Sequence, residues 1–297
     1  PASGGPARQL TRLGLQPSNM RWTPDSRAIV FSANKALRSE LEYGVNALYR
    51  VTLDGAVAQR TDDGHSYAGL AWSPDGRWMA YTRSMGTDRI IREKLRSGGP
   101  EDLFVQPASG GEPVNLTKDW DLDPGDPEWS PDSRFLYWAA QIGGARHLFR
   151  VPAAGGPVEQ VTRGERRLTG IDIARDFRRM TYTVGDFDRP SDVWVADIDG
   201  RNERRLTDVN RELLAEVELA TRRSERVSWK SYDGTVIEGF VTFPHGYDVS
   251  SGPYPLIVVN HGGPHAASGY GFSFRSSLFA ANGYVVFYPN FRSSTGY

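Results

Sequence analysis

The sequence contains no cysteine among its 297 residues. This absence excludes disulfide bonds, thiol nucleophiles and cysteine-ligated metals, and it fits a reducing compartment. No apolar run approaches the ~20 residues that a helix needs to cross a bilayer. The formal net charge is only −1, so the chain has no electrostatic footprint for nucleic acid or an anionic membrane. We therefore expect a cytoplasmic globular protein with no nucleic-acid and no membrane partner.

A short motif repeats four times within residues 1–207. It reads Trp-Thr-Pro-Asp-Ser-Arg at 22–27, Trp-Ser-Pro-Asp-Gly-Arg at 72–77, Trp-Ser-Pro-Asp-Ser-Arg at 129–134 and, in degenerate form, Ile-Ala-Arg-Asp-Phe-Arg at 173–178. The proline presets one corner of a tight turn, and the aspartate with glycine or serine completes it. An alternating strand follows each turn, and a second hairpin closes each copy. Four strands per copy, at a spacing on the order of 50 residues, predict four-stranded antiparallel β-propeller blades.

Strand alternation also assigns the loops to the two faces of the propeller. The connections between second and third strands should lie on one face, together with the connections between blades. One long connection, residues 83–101, carries four cations that form either a site for a substrate carboxylate or a solvated loop: Arg89, Arg92, Lys94 and Arg96. Residues 1–11 repeat the pattern of 107–117, so we expect the chain to begin within a blade. A complete small propeller is the alternative.

The pattern changes after residue 207. Residues 208–226 are polar, with one helix-like stretch, and we interpret them as a linker between domains. A last degenerate blade strand is the alternative.

Residues 227–297 are typical of the N-terminal part of an α/β-hydrolase domain. They begin with a hairpin around Asp233-Gly234, and an apolar strand within 254–260 follows, which we expect to be buried on both faces. A helix at 273–282 and a strand at 284–288 complete the predicted elements.

The apolar strand leads directly into His261-Gly262-Gly263-Pro264. Acyl transfer builds negative charge on a carbonyl oxygen, which backbone N–H groups stabilise when they point at one position. Glycines allow the backbone to approach that position because they have no Cβ. The loop after the third strand of α/β hydrolases supplies one such donor, often from a His-Gly-Gly sequence. The pattern therefore predicts an oxyanion loop, with a plain glycine turn as the alternative.

The sequence argues against a metal site, a catalytic base and a serine nucleophile within these residues. His261 and His265 have the spacing of a helical zinc pair, but the Gly-Gly-Pro between them prevents that helix, so we predict no metal and no cofactor. We expect His261 to brace its loop rather than act as the catalytic base, which follows the nucleophile in this fold. No Gly-x-Ser-x-Gly nucleophile elbow occurs, and the nearest sequence, around Ser273, lacks the final glycine. We therefore expect the chain alone to be inactive.

The ordered series of motifs resembles the acylaminoacyl-peptidase branch of the prolyl oligopeptidase family of serine peptidases. The series comprises the blade turns, Ser-Tyr-Asp-Gly-Thr-Val-Ile-Glu-Gly at 231–239, His-Gly-Gly-Pro-His at 261–265 and Asn-Phe-Arg-Ser-Ser-Thr-Gly-Tyr at 290–297. The resemblance spans the whole chain. Phe291 and Ser293 depart from the residues that are frequent in the family.

The resemblance implies a serine peptidase that hydrolyses short peptides, with the propeller restricting access to the site. It implies that Gly263, with its neighbour Gly262, supplies backbone oxyanion donors, and that Arg292 lies near the active site in a binding or structural role. It places the Ser-Asp-His triad in a C-terminal catalytic segment beyond this sequence, present in the same chain or as a separate one. An esterase on the same scaffold and a non-catalytic TolB-like binding propeller are the alternatives, and the sequence leaves open whether the protein is a homo-oligomer.

Overall fold

The computed structural model describes residues 4–14, 16–34, 45–95, 101–217, 224–263 and 266–297. The chain divides into two compact units. The first unit comprises Pro1–Trp138 with Arg150–Glu159, and the second comprises Ala139–Phe149 with Gln160–Tyr297.

Four antiparallel four-stranded sheets follow one another along the chain, as the repeat predicts. Each is a meander in which neighbouring strands pair in sequence order. The first sheet comprises β1 (Gln16–Trp22), β2 (Ala28–Asn34), β3 (Asn46–Thr52) and β4 (Val57–Gln59). The second comprises β5 (His65–Trp72), β6 (Trp78–Met85), β7 (Asp102–Pro107) and β8 (Val114–Asn115), with α1 (Thr87–Arg92) between β6 and β7. The third comprises β9 (Glu128–Trp129), β10 (Phe135–Ile142), β11 (Ala145–Pro152) and β12 (Glu159–Gln160). The fourth comprises β13 (Thr169–Ile173), β14 (Arg179–Val184), β15 (Asp192–Asp197) and β16 (Arg204–Arg205).

The aspartate of the repeated motif holds the turn between the first two strands of each sheet. In the second sheet, the Ser73 hydroxyl donates to Asp75 Oδ1 at 2.6 Å, and the same oxygen accepts from the Arg77 N–H at 3.0 Å. The first and third sheets have the same two contacts. The fourth keeps the backbone contact alone, from Arg178 N–H to Asp176 at 3.1 Å, because alanine replaces the hydroxyl residue. The turn chemistry inferred from the sequence is therefore confirmed.

A threonine closes each of the four sheets in the same way. Its Oγ1 accepts from a backbone N–H near the start of the third strand, at 2.9 Å in every sheet. The four threonines are Thr61, Thr117, Thr162 and Thr207. This bond satisfies a backbone donor where the short fourth strand has already ended.

The core of the first unit lies between its first two sheets. Large side chains from both sheets form one cluster, which comprises Val30, Leu48, Tyr67, Leu70, Tyr81 and Phe104. Within it the rings of Tyr81 and Phe104 stack with centroids 5.9 Å apart. The central strands are apolar on both faces, as expected for sheets that are covered on both sides.

The second unit contains a fifth, mixed sheet. After α2 (Arg211–Glu216), the chain forms β17 (Ser224–Lys230), β18 (Val236–Thr242), a 3-10 turn (Val249–Ser251), β19 (Leu256–Val258), α3 (Phe274–Ala281) and β20 (Val285–Asn290). The strand order is β17-β18-β20-β19, and the β19–β20 pair is parallel.

Several local predictions for this unit are confirmed. The β17–β18 hairpin turns at Asp233-Gly234, and Gly234 has φ 85°. Ser273 is the N-cap of α3, and Gly283, with φ 85°, follows its end. The linker assigned to residues 208–226 includes 218–223, which lie outside the described residues, and the domain boundaries at 207 and 227 stay predictions.

One prediction for this sheet is wrong. The apolar run at 254–260 does not form a strand buried on both faces, because it provides only the three-residue edge strand β19. Leu256 is 57% exposed and Val258 is 50% exposed. An edge strand has a neighbour on one side alone, and within this chain only Ile257 of β19 is half-buried.

Two connections of the second unit meet on one face, as strand alternation predicts. The Gly143-Gly144 turn joins β10 to β11, and residues 161–168 join the third sheet to the fourth. Arg146 N–H donates to Arg166 O at 3.1 Å, and Leu168 N–H donates to Arg146 O at 3.0 Å. Among the described residues, none of the helices is long and apolar enough to span a membrane.

Candidate functional site

The fold brings together two motifs that the sequence separates. Residues 261–263 follow β19, and residues 291–297 follow β20. The two strands are parallel, so their carboxyl ends lie at the same edge of the sheet. The sequence reasoning named both motifs but not their proximity, which depends on the strand order.

The His261 side chain links these two loops. Its Nε2 lies 3.0 Å from Ser294 Oγ, and its ring stacks on Phe291 with centroids 4.2 Å apart. Ser294 Oγ also donates to Phe291 O at 2.6 Å. His261 Nδ1 lies 3.0 Å from Gly262 O. The imidazole therefore braces the loop, as the sequence led us to expect.

Gly262 and Gly263 are exposed at the turn that follows. Gly263 has φ 139°, a conformation that residues with a Cβ rarely adopt. A Cβ built on Gly262 would meet no atom within 4 Å. Among hydrogen bonds between described residues, the N–H groups of Gly262 and Gly263 have no acceptor. Their assignment as oxyanion donors stays a prediction.

Arg292 points to the β17–β18 hairpin. Its guanidinium forms an ion pair with Asp233 at 2.5 Å and donates to Ser231 Oγ at 3.1 Å. It also lies over the Tyr232 ring, 5.1 Å from the centroid. The hydrogen bond from Arg292, and then the Thr235 N–H, hold the pKa of Asp233 well below its usual range. These contacts favour the structural role over the binding role, which stays a prediction.

Asn290, at the end of β20, begins the motif at 290–297, but the sequence reasoning assigned it no role. It is 3% exposed, and its amide accepts from Ser268 N–H at 2.8 Å and donates to Ser268 O at 2.9 Å. It also donates to Tyr297 Oη at 2.8 Å. Burial raises the pKa of Tyr297 to about 12, so this hydroxyl stays protonated at neutral pH. One amide thereby fixes the segment after the Gly-Gly turn to the end of the next strand. The motif at 290–297 includes this residue, but it does not indicate this contact.

A close backbone contact holds the same segment to the β10–β11 turn. Tyr270 N–H donates to Gly144 O at 3.1 Å, and Gly143 N–H donates to Gly296 O at 2.6 Å. A Cβ on Gly269 would come within 2.0 Å of Gly144 O. Close packing requires glycine at these positions. The residues next to them in the sequence do not indicate this requirement.

The other candidate residues lie elsewhere. Ser273 Oγ accepts from Ser276 N–H at 3.2 Å and serves as a helix cap. In the cationic connection, Arg89 forms an ion pair with Glu93 at 3.0 Å. Arg96, Pro264 and His265 lie outside the described residues. Among those that are described, no group of three or more His, Cys, Asp or Glu side chains could hold a metal ion.

Comparison with known proteins identifies peptidases. The chain is 24% identical to dipeptidyl-peptidase 5 of Porphyromonas gingivalis over 283 residues, which cover 93% of this chain and 39% of the relative. It is 27% identical to probable dipeptidyl-peptidase 5 of Aspergillus niger over 291 residues, covering 93% and 38% respectively. No protein-family profile matches the chain. The names of these relatives agree with the kind of protein that the sequence motifs indicated.

Solved structures show the same relationship at the level of the fold. The acylaminoacyl peptidase of Pyrococcus horikoshii matches with a TM-score of 0.69 and 22% identity, covering 94% of this chain and 40% of that one. A puromycin hydrolase matches with a TM-score of 0.66 and 20% identity, covering 94% and 42%. The chain thus spans about two fifths of the length of the relatives it matches.

Proposed function

We propose that the whole protein is a serine peptidase that hydrolyses short peptides. The proposal rests on the similarity of this chain to known peptidases and on its resemblance to the prolyl oligopeptidase family. In this proposal, the four-stranded sheets are propeller blades that restrict access to the site. Residues 227–297 form the first part of an α/β-hydrolase domain, in which the parallel β19–β20 pair and α3 are early elements.

One observation carries the proposal. The N–H groups of Gly262 and Gly263 are exposed after a parallel strand and have no acceptor among the described residues. The His261–Ser294 hydrogen bond and the Asn290–Ser268 contacts support both ends of this turn. A turn that is fixed before substrate binds can direct a donor at the developing oxyanion without further reorganisation, and one such donor is worth ~10²–10³ in rate.

The nucleophile, acid and base belong to sequence outside these 297 residues in this proposal. The chain has no Gly-x-Ser-x-Gly elbow, and the side chains near the turn already have structural partners. This chain contributes electrostatic stabilisation and substrate access, while the triad performs the covalent chemistry.

The test is made on the full-length protein. We expect a fluorophosphonate probe to label one serine, and we expect matched peptide anilides and p-nitrophenyl esters both to be hydrolysed. Turnover of esters without anilides would replace the peptidase proposal with an esterase. Absence of labelling, in a sample whose folding is verified by circular dichroism, would favour a non-catalytic binding propeller.

A further inference from the structure

Two arginines face each other across the connections of the second unit. Arg146, at the start of β11, and Arg167, just before β13, form an isolated parallel bridge. The flanking hydrogen bonds define this register, because Arg146 N–H donates to Arg166 O and Arg146 O accepts from Leu168 N–H. Residues opposed in a parallel bridge direct their side chains to the same side. Both guanidinium groups are therefore presented to the same region.

Among the described residues, each guanidinium has one hydrogen-bond partner. Arg146 Nη1 donates to Leu168 O at 3.1 Å, and Arg167 Nη1 donates to Ala267 O at 3.2 Å. A guanidinium carries five N–H donors, so most of those on both side chains remain available. Within the part of the chain that the structure describes, neither arginine forms an ion pair with a carboxylate.

Two carboxylates of the second unit form ion pairs with other arginines. Glu203 binds Arg166 at 2.5 Å, and Glu238 binds Arg226 at 3.3 Å. Glu165, two residues before Arg167, is exposed. Burial is the main cause, and Glu165 a further one, of the rise of the Tyr270 pKa to about 12.

The two positive charges are also partly removed from water. Burial lowers the pKa of both arginines from its ordinary value, and for Arg167 the charge of Arg146 adds to this effect. Partly buried like charges are unfavourable unless an anion accompanies them. Two adjacent guanidinium groups provide the forked donors that match a carboxylate.

The pair is connected to the candidate oxyanion turn. The carbonyl that Arg167 contacts belongs to Ala267, four residues after Gly263. Four residues of chain span at most ~14 Å, which is also about the reach of a four-residue extended peptide. A short peptide with its scissile carbonyl at the turn could therefore place a carboxylate at the arginines.

We propose that Arg146 and Arg167 together bind a carboxylate of the peptide substrate, within about four residues of the scissile bond. The proposal rests on the proposed peptidase function. It makes the protein selective for short acidic peptides or for peptides that end close to the cleaved bond. The C-terminal carboxylate and an Asp or Glu side chain share this chemistry, and substrate design separates them.

The experiment compares three forms of one peptide that the full-length enzyme cleaves. The first form has a free C-terminal carboxylate, the second is the C-terminal amide, and the third is the amide with one glutamate after the scissile bond. We expect kcat/KM for at least one carboxylate form to exceed that of the neutral amide by about 10- to 100-fold, mostly through KM. Preference for the first form identifies the C-terminus, and preference for the third identifies a side chain.

Variants then assign the preference to the pair. Arg146→Gln and Arg167→Gln should each abolish most of the ratio between carboxylate and amide forms. Arg163→Gln, an exposed arginine in the same connection, should preserve it. Because the readout is a ratio within each variant, a general loss of folded enzyme does not change it. Equal cleavage of all three forms, or a preference that survives the double variant, would overturn the proposal.

Failure of the peptidase function is separable from failure of this site. If no peptide is cleaved, fluorescence anisotropy of labelled peptides still compares binding of the three forms. Tighter binding of a carboxylate form, lost in Arg146→Gln and Arg167→Gln, would retain the anion site and reject only the peptidase. Equal binding of the three forms would reject the anion site.

Discussion

The Ser294 hydroxyl lies 3.0 Å from Nε2 of His261, and this contact joins the loops that follow two parallel strands. Ser294 is 3% exposed, so its hydroxyl must find partners within the protein. It donates to Phe291 O and lies within hydrogen-bond distance of His261 Nε2. The position of the Gly-Gly turn therefore depends on one hydroxyl group of the neighbouring loop.

Removal of that hydroxyl should loosen the turn. We expect Ser294→Ala to lower stability by about 1 kcal/mol, because the imidazole loses its hydroxyl partner and the Phe291 carbonyl keeps only the Ser294 N–H. Thermal unfolding of the full-length protein measures this change, and kcat/KM measures its effect on the turn. Ser277→Ala, on α3, is the control because its hydroxyl has no hydrogen bond to a described residue. Equal unfolding midpoints for the two variants would show that the contact adds nothing.

The two glycines of the turn should respond differently to a methyl group. Gly263 has φ 139°, and a non-glycine residue in such a conformation costs about 1–3 kcal/mol. The Cβ of Gly262→Ala enters open space. We therefore expect Gly263→Ala to lower the unfolding midpoint, whereas Gly262→Ala keeps it. If the turn supplies the oxyanion donor, Gly263→Ala should also reduce kcat by up to ~10²–10³. Equal midpoints for the two variants would contradict the strain at Gly263.

Local features of this chain could be predicted from sequence because their partners are two to five residues apart. Asp75 accepts from Arg77 N–H, and Ser273 caps the helix that follows it, so adjacent residue types determine both. The blade turns, the hairpin at Asp233 and the helix end at Gly283 follow the same logic.

Distant contacts could not be predicted in this way. Asn290 binds Ser268 across 22 residues, and Arg146 faces Arg167 through a register that no single segment encodes. The burial expected for β19 was wrong because burial depends on neighbouring strands rather than on the apolar run itself. The Gly-Gly turn was recognised from its sequence, but its support by Ser294 required the strand order.

Substitutions at one position of the repeated blade turn should change the stability of the protein in opposite directions in the first and second sheets. Its αL position is Gly76 in the second sheet, with φ 70°, and Ser26 in the first, with φ 57°. Serine is strained there by about 1 kcal/mol, so Ser26→Gly should raise the unfolding midpoint. Gly76→Ala should lower it, because it adds this strain and brings a Cβ within 3.1 Å of Pro24 Cβ. As a control, Ser277→Gly, within a helix, should be destabilising by about 0.5 kcal/mol. A lower midpoint for Ser26→Gly would refute the strain argument.

The same turn should make stability depend on pH in acid. The Ser73 hydroxyl, then the Arg77 N–H and guanidinium, lower the pKa of Asp75 from 3.8 to about 2. A carboxyl whose pKa is lower in the folded state stabilises the protein above the unfolded pKa, and this contribution is lost as the pH falls through the folded value. Asp75→Asn keeps an acceptor oxygen but cannot titrate.

We therefore expect the variant to be less stable than the wild type at pH 7, with the difference shrinking between about pH 4 and pH 2. Thermal unfolding across that range measures the two curves. Asp176→Asn, in the copy that lacks the serine hydroxyl, should give a smaller difference at pH 7. Parallel curves for wild type and Asp75→Asn would show that the carboxylate of this turn does not contribute to acid sensitivity.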